Sequence, residues 1–89
     1  MTKGSDMAVY LPFNYGVAHT KSDTVDLVGP RPLCDALYVG TVGDVVAVHQ
    51  DGRLVTFTGV PAGTILPIQI KRVNSSSTTA GAFVALFKI

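Results

Sequence analysis

Short runs of alternating apolar residues, each cut off by glycine or proline, constrain this chain more than any other feature. From Asp35 onward, residues 36–39, 44–50, 53–59, 65–73 and 82–87 read as strands. Between them lie Gly40-Thr41-Val42-Gly43, Asp51-Gly52, Val60-Pro61-Ala62-Gly63-Thr64 and the polar loop 74–79. Runs of this length bounded by turn residues favour strands over helices. The residues that fill them agree: 13 Val, 4 Ile and 9 Thr are stiff at χ1 and fit a pleated surface, while Glu, a strong helix former, is absent. The sequence predicts an all-β fold, a small antiparallel β-sandwich or barrel.

Asp51-Gly52 is the clearest local signal, because both central residues of a two-residue type I′ turn need φ > 0 and Asp and Gly tolerate it. That turn sets Gln50 opposite Arg53, Val48 opposite Val55 and Val46 opposite Phe57. Val46, Val48, Val55 and Phe57 then form an apolar core face. Val45, Ala47, His49, Leu54, Thr56 and Thr58 form a mixed face open to a neighbour. Further on, residues 65–73 are expected as one strand with Leu66, Ile68 and Ile70 on one side, Pro67 marking an edge or a bulge.

The first 34 residues carry Pro12, Gly16, Gly29, Pro30 and Pro32 and sustain no period of 2 or 3.6. They are expected as an extended N-terminal arm (residues 1–34) ahead of a compact β domain (residues 35–89). Val9, Tyr10, Leu11, Phe13, Tyr15 and Val17 make the arm too apolar for a free tail, so it is expected to pack on its own sheet or on an adjacent subunit. A domain of about 60 residues buries only about 60% of the surface its unfolded chain exposes, which leaves little net stability. With one cysteine, and hence no intrachain disulfide, association with other copies is the remaining stabiliser.

Charge points the same way. Only 15% of the residues are charged and 47% are hydrophobic, against about 25% charged in an average domain. Too little charge is present to cover the outer surface, so part of that surface is expected to meet protein. The seven basic residues are dispersed among six Asp, which gives nucleic-acid binding no support. No apolar run approaches the roughly 20 residues of a membrane span, and no signal sequence is read at the N-terminus.

Residue types able to do chemistry are present without the company that chemistry needs. His19 and His49 lie far apart with no Glu to form a metal-binding spacing, so no metal or other cofactor is expected. Cys34 reads as a small buried hydrophobe. Ser75-Ser76-Ser77-Thr78-Thr79 has hydroxyls but no base beside them, and Gly40-Thr41-Val42-Gly43 leads into a strand where a P-loop would lead into a helix. No catalytic residue is assigned, and the chain is not expected to be an enzyme.

The stretches Asp35-Ala36-Leu37-Tyr38-Val39-Gly40, Gly43-Asp44-Val45-Val46 and Val55-Thr56-Phe57-Thr58-Gly59-Val60-Pro61-Ala62-Gly63-Thr64-Ile65-Leu66-Pro67-Ile68 carry a likeness that runs over about residues 22–86. With Lys71-Arg72-Val73 and Thr78-Thr79-Ala80-Gly81, they resemble the spike base family of gene transfer agents and related tailed-phage heads. Residues 1–15, Pro30-Arg31-Pro32 with Cys34, and the Phe87-Lys88-Ile89 ending depart from it. The resemblance implies a virion structural protein on the capsid exterior, made in the cytoplasm of a bacterial host. It implies a symmetric homo-oligomer, trimer or pentamer, that forms a spike base or decoration cap on the major capsid protein and supports a spike fibre. Val9, Tyr10, Leu11, Phe13, Tyr15, His49, Leu54, Thr56 and Thr58 are expected at the capsid or subunit interface. A trimeric cement protein at capsomer junctions and a virion-exposed glycan- or receptor-binding module are the alternative readings.

Overall fold

The computed structural model describes residues 13–89. Among them there are seven strands and no helix: β1 (Tyr15–His19), β2 (Ala36–Thr41), β3 (Gly43–Val48), β4 (Leu54–Val60), β5 (Thr64–Leu66), β6 (Arg72–Val73) and β7 (Gly81–Phe87). They form a four-stranded sheet, ordered β1-β7-β2-β5, and a three-stranded sheet, ordered β4-β3-β6, with every pairing antiparallel. The all-β expectation holds. The core lies between the sheets, where Leu37, Val39, Ala85, Phe83 and Phe87 of one face Val45, Ala47 and Val73 of the other. Ile70, Cys34 and Leu27 complete it from the connecting segments.

The segment expected as an extended arm is, over its described residues, bonded to both sheets of its own chain. β1 pairs with β7 from Tyr15↔Phe87 to His19↔Phe83. Farther along, the N–H groups of Ser22, Leu27 and Cys34 donate to the carbonyls of Val73, Lys71 and Ile70 at 2.9, 2.9 and 3.2 Å. The strand escaped the sequence because Tyr15, Val17 and His19 alternate with Gly16 and Ala18, whose small size hides the period. Residues 1–12 of the expected arm lie outside the described residues.

The 51–52 hairpin forms with a register one residue away from expectation. His49 N–H donates to Arg53 O at 2.8 Å and Gly52 N–H to His49 O at 2.9 Å, which leaves a three-residue loop, 50–52. The cause is local: an Asp51 carboxylate oxygen accepts the Arg53 N–H at 3.0 Å, and of the loop residues only Gly52, at φ 89°, is left-handed. Val55 therefore stands opposite Ala47 and Phe57 opposite Val45. The expected apolar face is thus divided. Val55 and Phe57 join Val45 and Ala47 toward the core between the sheets, whereas Val46 and Val48, buried as expected, share the other side of the sheet with Leu54 and Thr56.

The strand expected over residues 65–73 is split between the two sheets. β5 ends at Leu66, and β6 begins at Arg72 beside Val48. Pro67 has no N–H to continue the ladder, and Ile68 N–H turns back to Leu66 O at 2.8 Å. Leu66, Ile68 and Ile70 nevertheless all face the core, as their alternation requires.

Two close approaches hold the ends together. Phe87, fully buried, lies under Gly29, where a Cβ would fall 2.4 Å from its ring, and beneath the Arg31 guanidinium at 5.9 Å from the ring centre. Arg31 also pairs with the Asp35 carboxylate and donates to Lys88 O at 2.8 Å, while Asp35 accepts Lys88 N–H at 2.6 Å. Asn14 closes the edge by exchanging two 2.8 Å side-chain bonds with the Ile89 backbone. At the other end, Gly43 passes the 79–80 backbone so closely that a Cβ would sit 2.4 Å from Ala80 N.

Phe87→Ala is expected to cost about 3–5 kcal/mol by emptying that site. The half-buried Phe57 is expected to lose less when cut to Ala, and comparison of the two urea midpoints checks the ranking. Gly43→Ala is expected to cost about 1–3 kcal/mol, because backbone must move to admit one methyl, and denaturant melts measure it.

Candidate interface

The register of the four-stranded sheet sorts its residues into two sides. Phe83, Ala85, Phe87, Leu37, Val39 and Val17 point inward. The other side is built from rows of direct partners: Gly16–Leu86–Ala36, then Ala18–Val84–Tyr38–Ile65, with Gly40 and Ala82 beyond them. No residue on this side carries a charge. Ile65 is 49% exposed, Gly16, Ala18 and Ala82 are exposed, Tyr38, Val84 and Leu86 are half-buried, and Ala36 is fully buried. A sheet face of small and apolar residues beside water is the composition of a contact surface.

Only one part of this face is legible in the sequence, in the run Ala82-Phe83-Val84-Ala85-Leu86-Phe87, which is apolar at every position. Tyr38, Ile65, Ala18 and Leu86 come together through pairings among β1, β7, β2 and β5, which are far apart in sequence. No period within one strand reports that they share a face.

Most of the expected interface residues fall elsewhere. Leu54, 54% exposed, and Thr56 stand on the outer side of β4, an edge strand, with Thr58 exposed beyond them. His49 is half-buried and is not beside them: with Leu33, Gln50, Asp51, Arg53 and Gln69 it lines an open groove of about 450 Å³ at the hairpin loop. Tyr15, 45% exposed, lies on β1 and meets the Phe87 ring edge-to-face at 6.1 Å. Phe13 is half-buried at the start of the described chain, and Val9, Tyr10 and Leu11 lie outside it.

The residues with chemical potential have structural partners. His19 is buried, and its Nε2 accepts the Val73 N–H at 3.1 Å, joining β1 to β6 across the two sheets. Desolvation holds this imidazole below its ordinary pKa, against a smaller opposing effect of Asp26. Cys34 is fully buried, its thiol pushed up by desolvation and directed at Ile68 O at 3.6 Å. Thr78 and Thr79 hydroxyls accept the N–H groups of Val46 at 2.9 Å and Asp44 at 2.8 Å, so the hydroxyl-rich loop extends the ladder of β3. Asp35 is held below the usual carboxylate range by the Lys88 N–H and, less strongly, by Arg31. Among the described residues no group of three His, Cys, Asp or Glu side chains is placed to hold a metal ion, and no helix is long and apolar enough to cross a membrane.

No family model and no curated protein matches the chain. Among solved structures it is similar to a chain of "Capsid of native GTA particle computed with C5 symmetry", with 37% identity, a TM-score of 0.73, and 84% of this chain and 83% of the other covered.

The His19 bond has a pH signature. Protonation removes the Nε2 lone pair, and a depressed folded-state pKa means that the unfolded chain takes up the proton first. Stability is therefore full above the ordinary value of 6.5 and declines as pH falls from there through the folded-state pKa. Thermal melts across that range are expected to show the decline, and His19→Gln, whose amide oxygen can accept the same N–H, is expected to flatten it.

Proposed function

The chain belongs to the same family as that capsid chain of a gene transfer agent particle, and we propose that it is a virion structural protein of the capsid exterior. In this reading it forms a symmetric homo-oligomeric spike base or decoration cap on the major capsid protein. The observation that carries the reading is 37% identity sustained over more than four-fifths of both chains, a relation to a protein found in a particle shell.

The physical surface supports assembly and offers nothing to catalysis. The uncharged outer face of the four-stranded sheet, centred on Val84 and Tyr38, is the side we assign to the shell. Contact there removes apolar area from water at roughly 25 cal/mol per Å² without stripping water from any charge. The strand edges, which carry Tyr15 on β1 and Leu54 and Thr56 on β4, are left for neighbouring copies.

Co-sedimentation with capsids lacking this protein tests the proposal. The wild-type chain is expected to bind, and Val84→Lys, at the centre of the outer face, is expected to weaken binding about tenfold or more with little change in melting. Equal binding by the variant would remove the face from the contact, and no binding by wild type would remove the capsid role.

A further inference from the structure

The outer edge of β4 carries backbone groups that the sheet leaves unpaired. Within β3, Val46 N–H goes to Thr78, Val46 O accepts Asn74 N–H at 2.9 Å, and Val48 O accepts Lys71 N–H at 3.0 Å. All three bonds point away from β4. The β3–β4 ladder therefore runs through Val45↔Phe57 and Ala47↔Val55, and the N–H and C=O groups of Leu54 and Thr56 point outward from the sheet. No described residue pairs with this edge. Residues 54–58, Leu-Val-Thr-Phe-Thr, contain none of the charges or prolines that usually protect an edge strand.

A donor is present in the same chain. Residues 7–11, Met-Ala-Val-Tyr-Leu, are uncharged and suited to a strand, and Pro12 ends the run. We infer that the open edge of β4 takes up residues 7–11 of a neighbouring copy as an added strand, joining copies head to tail in a closed ring. This rests on the homo-oligomeric reading above and deepens it.

Geometry selects a neighbouring copy over the chain's own β4. The chain is pinned at Asn14, whose N–H donates to Phe87 O at 3.0 Å, on the β1 edge of its sheet. β1 adjoins β6 through His19 and Val73, while β4 runs into β5 through residues 61–63, so β4 lies at the opposite edge of the molecule. Crossing from β1 to β5 covers three strand spacings, about 14 Å, and the second sheet lies about 10 Å farther. The three steps from Asn14 back to Leu11 span at most about 11 Å. A donor at one edge and an acceptor at the other make a heterologous contact, which closes into a ring where the rotation permits.

The test uses the full-length chain. Tyr10→Cys with Thr56→Cys, treated with a short bismaleimide, is expected to give a ladder of covalent oligomers that stops at the ring number, with Cys34 buried and silent. Thr56→Pro, which removes an outward N–H, and Val9→Pro, which removes an N–H from the donor segment, are each expected to abolish the oligomer in light scattering. A cross-linked monomer band, bridging only between identical positions, or an oligomer that survives both proline variants would overturn strand exchange. A wild-type monomer would overturn it together with the homo-oligomer, and capsid co-sedimentation reads the shell contact separately.

Discussion

A two-layer β fold has one interior, and each sheet can bury only one of its faces in it. β7 makes this constraint acute, because Phe83, Ala85 and Phe87 fill the core while Val84 and Leu86, one residue out of phase, are carried to the other side. β2 repeats the arrangement with Leu37 and Val39 inward and Tyr38 outward. The chain has no third layer among its described residues to lay over that surface. An apolar outer side follows from the choice of strands, and burial by another molecule is the physical resolution consistent with a capsid family.

The polar residues serve the same small fold. Joining two sheets around so little core leaves backbone groups near the edges without ladder partners, and buried orphans are costly. His19, Thr78 and Thr79 meet that need by accepting N–H groups of Val73, Val46 and Asp44. Asp35 and Arg31 do it for the chain end, and Asp44 accepts the Gly59 N–H at the bulge in β4. Side chains committed to backbone bonds in this way are poorly placed to act as bases or nucleophiles.

Two departures from the expected family pattern meet in space. The Pro30-Arg31-Pro32 segment and the Phe87-Lys88-Ile89 ending form one contact, with Arg31 above Phe87 and bonded to Lys88. Asn14 adds the third element by holding Ile89. Asn14, Arg31 and the chain ending therefore act as one unit at one end of the four-stranded sheet.

Local chemistry was readable without the fold: the β class from branched side chains, the turn at Gly52, the break at Pro67, the inward alternation of Leu66, Ile68 and Ile70, and the burial of Cys34. Each depends on a residue and its immediate neighbours. The loop length at 50–52 was not, because it turned on an Asp51 side-chain bond that shifts register by one residue and regroups Val55 and Phe57 with Val45 and Ala47. Nor was the strand at Tyr15–His19, which pairs with residues nearly seventy positions away. The outer face is the clearest case of the second kind. Sequence alone determined that apolar surface would exceed what a short chain can hide; tertiary pairing decided where it lies, because a face exists only once distant strands are set side by side.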